Sequence, residues 1–169
     1  MSTHPFRSLS LGTSRRVAAA AGVAAMSVAL LAACEKPTPV AQLTVGDRTV
    51  TSEAACYGHG EPLAQAKLMK CLTKSDAESI TLSPSEELRI GVDPDVADTG
   101  WYLLVNGNPY YPVKIKDTYF TLKGENVLYD QQAGGFADKV RIQIVETGAK
   151  GKQITGAEGV WNFVVKGKS

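Results

Sequence analysis

The sequence predicts a mainly β fold, an immunoglobulin-like β-sandwich with one short helix, and three observations support this prediction. First, short segments of alternating apolar and polar residues recur along residues 41–165. A period of two is the pattern of a strand with one buried face. Second, turn-forming sequences such as Gly46-Asp47 and Asn106-Gly107 separate these segments. Third, the composition, with 44% hydrophobic and 21% charged residues, is that of a globular protein.

The segments number about nine, which favours a sandwich or a barrel. We favour the immunoglobulin-like sandwich, although strand count alone does not fix strand order. The expected strands are residues 41–45, 49–52, 79–82, 87–92, 101–105, 110–115, 118–122, 139–146 and 159–165. The expected core consists of Leu88, Ile90, Trp101, Leu103, Val140, Ile142, Ile144, Trp161 and Phe163. Residues 62–72 are predicted to form the helix. This segment begins with a proline, which suits the first turn of a helix, and continues with good helix formers.

Residues 1–33 have the pattern of a secretory signal peptide. Arg7, Arg15 and Arg16 are its charged residues, and an uncharged, alanine-rich run follows over residues 17–33. A basic segment, an apolar segment and small residues at its end define such a signal. The paired arginines leave both general secretion and twin-arginine export open.

The residues Leu31-Ala32-Ala33-Cys34 resemble the lipobox of bacterial lipoproteins at every position. The resemblance implies that Cys34 receives a diacylglyceryl group and becomes the mature N-terminus. We therefore expect a lipid-anchored protein at the outer face of the bacterial cytoplasmic membrane. The alternative is an uncleaved anchor, but the 17 residues from 17 to 33 are at the short limit for spanning ~30 Å of hydrocarbon.

Removal of residues 1–33 takes away three of the 18 basic residues and none of the 17 acidic ones. The remaining 136 residues carry a formal net charge of −2, so the composition favours no nucleic-acid partner. We expect residues 34–40, which contain Pro37 and Pro39, to form a short extended tether. Residues 41–169 are expected to form a single β-sandwich domain.

With Cys34 lipidated, Cys56 and Cys71 remain, 15 positions apart. In an exported protein such a pair favours a disulfide, and the alternative is a pair of free thiols. Reduced, the two thiolates with His59 and Met69 would offer soft ligands for Cu(I). Because oxidation removes both thiolates, we predict no metal and no cofactor.

Two further segments suggest binding chemistry. The acidic segment 93–100 gathers three carboxylates that could attract calcium, but its spacing departs from the EF-hand pattern, so we favour an inter-strand turn. Aromatic residues concentrate in the middle of the chain, where Tyr110 and Tyr111 lie next to prolines. We predict that these two tyrosines are the best candidates for an exposed contact surface for a glycan or protein. The alternative is that they pack in the core.

The mature chain contains none of the common catalytic motifs, and we expect no enzyme. Several short motifs together resemble an uncharacterised family of actinobacterial envelope lipoproteins. They are Cys34-Glu-Lys-Pro-Thr-Pro39, Val50-Thr-Ser-Glu-Ala-Ala-Cys56, Arg89-Ile-Gly-Val92, Gly100-Trp101 and Gly159-Val-Trp161. The resemblance implies an envelope lipoprotein and supplies no activity or site residue. We therefore expect a non-catalytic binding or interaction module for an envelope protein, a glycan or a small ligand. The alternative is an envelope enzyme or a metal-handling protein.

Overall fold

The computed structural model describes residues 37–148 and 154–168. From Thr38 onward the described residues form one compact unit. The predicted signal peptide and the predicted lipid attachment at Cys34 lie outside the described residues. Among the helices that are described, none is long and apolar enough to cross a membrane.

Within the described ranges, twelve strands and three short helices follow one another along the chain. The strands are β1 (Val40–Val45), β2 (Arg48–Glu53), β3 (Cys56–Tyr57), β4 (Glu78–Leu82), β5 (Glu87–Val92), β6 (Trp101–Val105), β7 (Asn108–Pro109), β8 (Tyr119–Lys123), β9 (Tyr129–Asp130), β10 (Gly135–Phe136), β11 (Lys139–Thr147) and β12 (Ala157–Gly167). The helices are α1 (Gln65–Leu72), α2 (Pro94–Thr99) and α3 (Gly124–Leu128), and a 3₁₀ turn covers Ile154–Gly156.

The strands form two large sheets and one small hairpin. The first sheet is antiparallel, in the order β2-β1-β5-β8. The second has the order β3-β12-β11-β6-β7, and β4 also pairs with β12 in parallel. Since β11 occupies one edge of β12, β3 and β4 share its other edge, at Gly159–Val160 and Phe163–Gly167 respectively. The hairpin consists of β9 and β10.

The main core lies between the two large sheets, so the predicted mainly β sandwich fold is confirmed. Side chains from β1 and β5 of the first sheet pack with side chains from β6, β11 and β12 of the second. All nine core residues expected from the sequence are buried. Alternation identified them because each strand turns one face toward the opposite sheet.

A second layer covers the outer face of the second sheet. There α1 and the segment before it bury a smaller apolar cluster against β6, β11 and β12. Its members are Leu63, Leu68, Cys71, Tyr102, Leu104, Val145, Ala157 and Val160. Both faces of β11 and β12 are therefore covered, and polar side chains on their outer faces are buried as well.

The expected strand over residues 110–115 is wrong. After the Asn106-Gly107 turn, β7 pairs with β6 only over Asn108–Pro109. Beyond it, a single bridge between Trp101 and Ile115 remains. Prolines explain the difference, because Pro109 and Pro112 have no N–H to donate to a ladder.

Two other segments differ from the sequence-based expectation. The helix predicted over 62–72 begins only at Gln65, because the Leu63 N–H donates instead to the carbonyl of Ala157 at 2.7 Å, and Ala64 is extended. The acidic segment 93–100 is a short helix, α2, and not a turn. Pro94 stands in its first turn, where a missing N–H costs nothing. Gly100 ends α2 with a positive φ of 92°.

Candidate functional site

The Cys56–Cys71 disulfide joins β3 to α1, as the sequence predicts. The two Cα atoms lie 5.9 Å apart, within the usual range for disulfides. Because both sulfurs are bonded to each other, the Cu(I) site considered with His59 and Met69 has no thiolates. In the part of the chain that the structure describes, no three His, Cys, Asp or Glu side chains gather closely enough to hold a metal ion.

The C-terminal end of α1 is held by two buried amide side chains of the second sheet. The last carbonyls of a helix have no partner within the helix. Gln143 Nε2 donates to the Leu72 carbonyl at 2.7 Å, and Asn162 Nδ2 donates to the Cys71 carbonyl at 2.8 Å. Arg141 Nη1 also donates to Leu72, at 3.3 Å. These bonds fix α1 on the sheet independently of the disulfide.

The same bonds determine where the two amide oxygens point. A carbonyl only accepts hydrogen bonds, so each amide must turn its nitrogen toward α1 and its oxygen away. Gln143 Oε1 and Asn162 Oδ1 are then buried without a hydrogen-bond partner among the described residues. Gln143 and Asn162 are each only 2% exposed. Sequence reasoning missed both, because an isolated Gln or Asn in a strand carries no distinctive pattern.

A groove lies beside Gln143, between the C-terminal end of α1 and the β6–β7 hairpin. It is a cavity of about 380 Å³. This is within the ~300–1,000 Å³ typical of sites for small molecules. Its lining residues are Met69, Leu72, Thr73, Leu104, Asn106, Gly107, Arg141 and Gln143. We call this cavity the α1 groove.

The two tyrosines predicted as a contact surface lie together, with ring centroids 6.3 Å apart, but they differ in burial. Tyr111 is 46% exposed and packs edge-on against Phe120. Tyr110 is half-buried and packs against the main core. Tyr119, on the edge strand β8, is 66% exposed, so the sequence did not single out the most exposed tyrosine.

A buried carboxylate lies at one end of the main core, where the sequence suggested no site. Glu146 Oε1 accepts a hydrogen bond from Thr99 Oγ1 at 2.7 Å, and Oε2 has no partner among the described residues. Burial raises the pKa of Glu146, against the effect of the Thr99 bond, and the charge of Glu158 adds to the rise. Burial also raises the pKa of the nearby Tyr57, and the charge of Glu146 contributes.

This carboxylate is enclosed by neighbouring side chains and backbone. Glu146 is only 2% exposed, and its Oε2 and the ring of Trp161 both lie close to Gly159. Nearby, Lys114 Nζ donates to the backbone carbonyls of Thr99, Thr147 and Gly148, at 3.0–3.3 Å. Burial lowers the pKa of this lysine. Among the described residues, these contacts enclose Glu146 at the end of the core.

The chain enters the sandwich at Pro39 through two hydrogen bonds. Trp161 Nε1, buried in the core, donates to the Pro39 carbonyl at 3.0 Å. The Val40 N–H donates to Asp93 Oδ2 at 2.9 Å. Asp93, considered above as part of a calcium site, thus fixes the start of β1.

Comparison with known proteins adds no relative. No protein-family model, no curated protein and no solved structure matches this chain.

Proposed function

We propose that this protein is a bacterial lipoprotein, held at the outer face of the cytoplasmic membrane by lipid on Cys34, and that it acts as a non-catalytic binding or interaction module. The observation that carries the proposal is the short distance in sequence between the lipobox and the folded sandwich. Cys34 ends the lipobox, and β1 begins at Val40. A diacylglyceryl group anchors a protein without a spanning helix, because each buried methylene contributes ~0.8 kcal/mol.

Further support comes from the form of the domain. The disulfide and the amide bonds to α1 hold the second layer rigidly on the sheet. Such a scaffold holds the walls of the α1 groove in place. Rigid surfaces lose less entropy when they bind, which suits a recognition role. The motifs that resemble those of actinobacterial envelope lipoproteins agree with this location.

Metabolic labelling tests the anchor. Cells that express the chain are fed an alkyne-tagged fatty acid, and the label on the protein is measured with and without inhibition of signal peptidase II. We expect label on the wild type, a lower mass after cleavage before Cys34, and no label on Cys34→Ala. Cys56→Ala/Cys71→Ala is the matched control and should keep the label. An unlabelled wild type would refute the anchor.

Photo-crosslinking in intact cells tests the binding role. A photoreactive residue replaces Thr73 at the rim of the α1 groove or, in a second variant, Tyr111. We expect a discrete, saturable adduct from at least one position. Glu125, exposed on α3, is the control position and should give none. If all three positions gave the same diffuse background, the binding role would be wrong.

A further inference from the structure

We propose that the α1 groove binds the carboxyl end of a peptide, with the terminal carboxylate at Arg141 and the last backbone N–H at Gln143. The inference rests on the proposed role as a binding module and names its site and its ligand chemistry. Three features of the groove support it: a buried acceptor and a cation that have no acid or donor paired with them among the described residues, and an apolar surface formed partly by α1.

The acceptor is Gln143 Oε1. Its side chain is buried, and the bond from Nε2 to Leu72 prevents the amide from turning over. A buried polar atom without a partner destabilises the structure, and such atoms are uncommon in folded proteins. Gln143 lines the groove, but its Oε1 is shielded from solvent, so a ligand supplies the missing donor only where its N–H enters beside the Gln143 side chain. An N–H group of a peptide is a donor of this kind.

The cation is Arg141. Its guanidinium has five N–H donors, and its contact with Leu72 uses one of them. No ion pair between described residues includes Arg141. The lining residues of the groove also contain no Asp or Glu, so its positive charge is not neutralised from within. Guanidinium groups bind carboxylates through two parallel hydrogen bonds, which favours a carboxylate over a neutral group.

The apolar part of the groove consists of Leu104, Leu72 and Met69. Leu104 is buried in the second cluster, whereas Met69 on α1 is 52% exposed. Methionine adapts to ligands of different shape because its side chain is unbranched. The cavity of about 380 Å³ has room for one or two small residues. An apolar terminal side chain would pack here.

The combination distinguishes this ligand from simpler ones. Arg141 and Gln143 are two residues apart on β11, so their side chains leave the same face of the sheet. A free phosphate could pair with Arg141 but has no apolar part to pack against Leu104 and Met69. An amine could donate to Gln143 but would be repelled by Arg141. A peptide carboxyl end carries the donor N–H and the carboxylate on the same residue, one on each side of its Cα.

The test uses N-acetyl-alanyl-alanine and its terminal carboxamide as probes. The protein recovered from its host membrane is kept in detergent micelles, and amide NMR shifts are followed as each probe is added. We expect saturable shifts around Gln143, Thr73 and Asn106 with the acid. The carboxamide should bind about tenfold more weakly, because it lacks the charge that pairs with Arg141.

Arg141→Gln tests the assignment of the carboxylate. Leu72 keeps its bond from Gln143, so the fold should be retained, and the NMR spectrum of the unliganded variant verifies this. The variant should bind the acid about tenfold more weakly and no longer distinguish the acid from the carboxamide. Arg89→Gln removes an exposed arginine on β5 of the other sheet and should bind like the wild type.

Three results would overturn the inference. They are the absence of saturable shifts up to ~10 mM acid, equal affinity for acid and carboxamide in the wild type, and equally tight binding of inorganic phosphate. The last would show a simple anion site. Labelling of Cys34 and crosslinking in cells are measured separately. If they succeed while the groove binds neither probe, this inference fails and the proposed function stands.

Discussion

Removal of the Cys56–Cys71 disulfide should lower the melting temperature by about 11 °C. The perturbation is the double variant Cys56→Ala/Cys71→Ala. Alanine is preferred to serine because Cys71 is buried, and a hydroxyl there would need a partner. The disulfide closes a loop over a sequence separation of 15. A crosslink of that size reduces the entropy of the unfolded chain by an amount equal to about 3 kcal/mol.

The temperature shift follows from the size of the domain. The compact unit runs from Thr38 to Ser169, or about 130 residues. At ~2.1 cal/mol/K per residue its unfolding entropy is about 270 cal/mol/K, so 3 kcal/mol corresponds to about 11 °C. Gln143 and Asn162 still bond the C-terminal end of α1 in the variant. The loss should therefore arise mainly in the unfolded state.

Differential scanning calorimetry of wild type and variant measures the shift. Reductant should lower the melting temperature of the wild type toward that of the variant and leave the variant unchanged. Far-UV circular dichroism at low temperature should be the same for both proteins, because α1 stays docked. A shift below about 3 °C, or a variant without folded structure, would refute this reasoning.

Three further predictions concern buried groups. In urea titrations, Glu146→Gln should raise the free energy of unfolding at pH 7–8 and change it little near pH 4. Burial raises the pKa of Glu146 in the folded state. The wild type therefore loses stability as the pH rises from the unfolded-state pKa of ~4.3 through the folded-state pKa, whereas the variant does not. Trp161→Phe should lower the free energy of unfolding by about 1–3 kcal/mol in the same assay, because the Pro39 carbonyl loses its hydrogen-bond donor. An unchanged free energy of unfolding would mean that this hydrogen bond contributes nothing to stability. Gly124→Ala should lower the free energy of unfolding by at least about 2 kcal/mol, because the Cβ of the alanine would meet three backbone carbonyls of the turn between β4 and β5. An unchanged urea midpoint would contradict that close packing.

The sequence located the strands that have one face in the main core. β5, β6, β11 and β12 begin and end within two residues of their predicted limits. Alternation is informative there because one side chain in two meets the opposite sheet. The same pattern failed for residues 110–115, where the side chains alternate but two prolines limit pairing. The structure of that segment is determined by its missing backbone N–H donors and not by the polarity of its side chains.

The α1 groove could not be predicted because it is assembled from residues distant in sequence. The bond from Gln143 joins positions 71 apart, and the bond from Asn162 joins positions 91 apart. Neither strand order nor the docking of α1 can be read from local pattern. The disulfide was the one such link with a sequence signal, since an exported chain with two remaining cysteines has one pairing available.

The burial of Glu146 follows from the alternation of residues on β11. This glutamate continues the inward-facing series Val140, Ile142 and Ile144 with a period of two, so its position on β11 already placed it in the core. Buried acidic side chains are uncommon. One at this position indicates that polar groups cover the end of the core. Its partner Thr99 could not be foreseen, because α2 was expected to be a turn.

The position of Pro39 at the start of β1 has a mechanical consequence. If lipid on Cys34 anchors the chain while a partner holds the second sheet, tension enters the domain at Pro39 and runs along β1. Ladder hydrogen bonds lie perpendicular to a strand, and β1 is paired on both sides, to β2 and β5. Pulling along the strand loads these bonds together in shear. The attachment point therefore resists extraction without any covalent crosslink to β1.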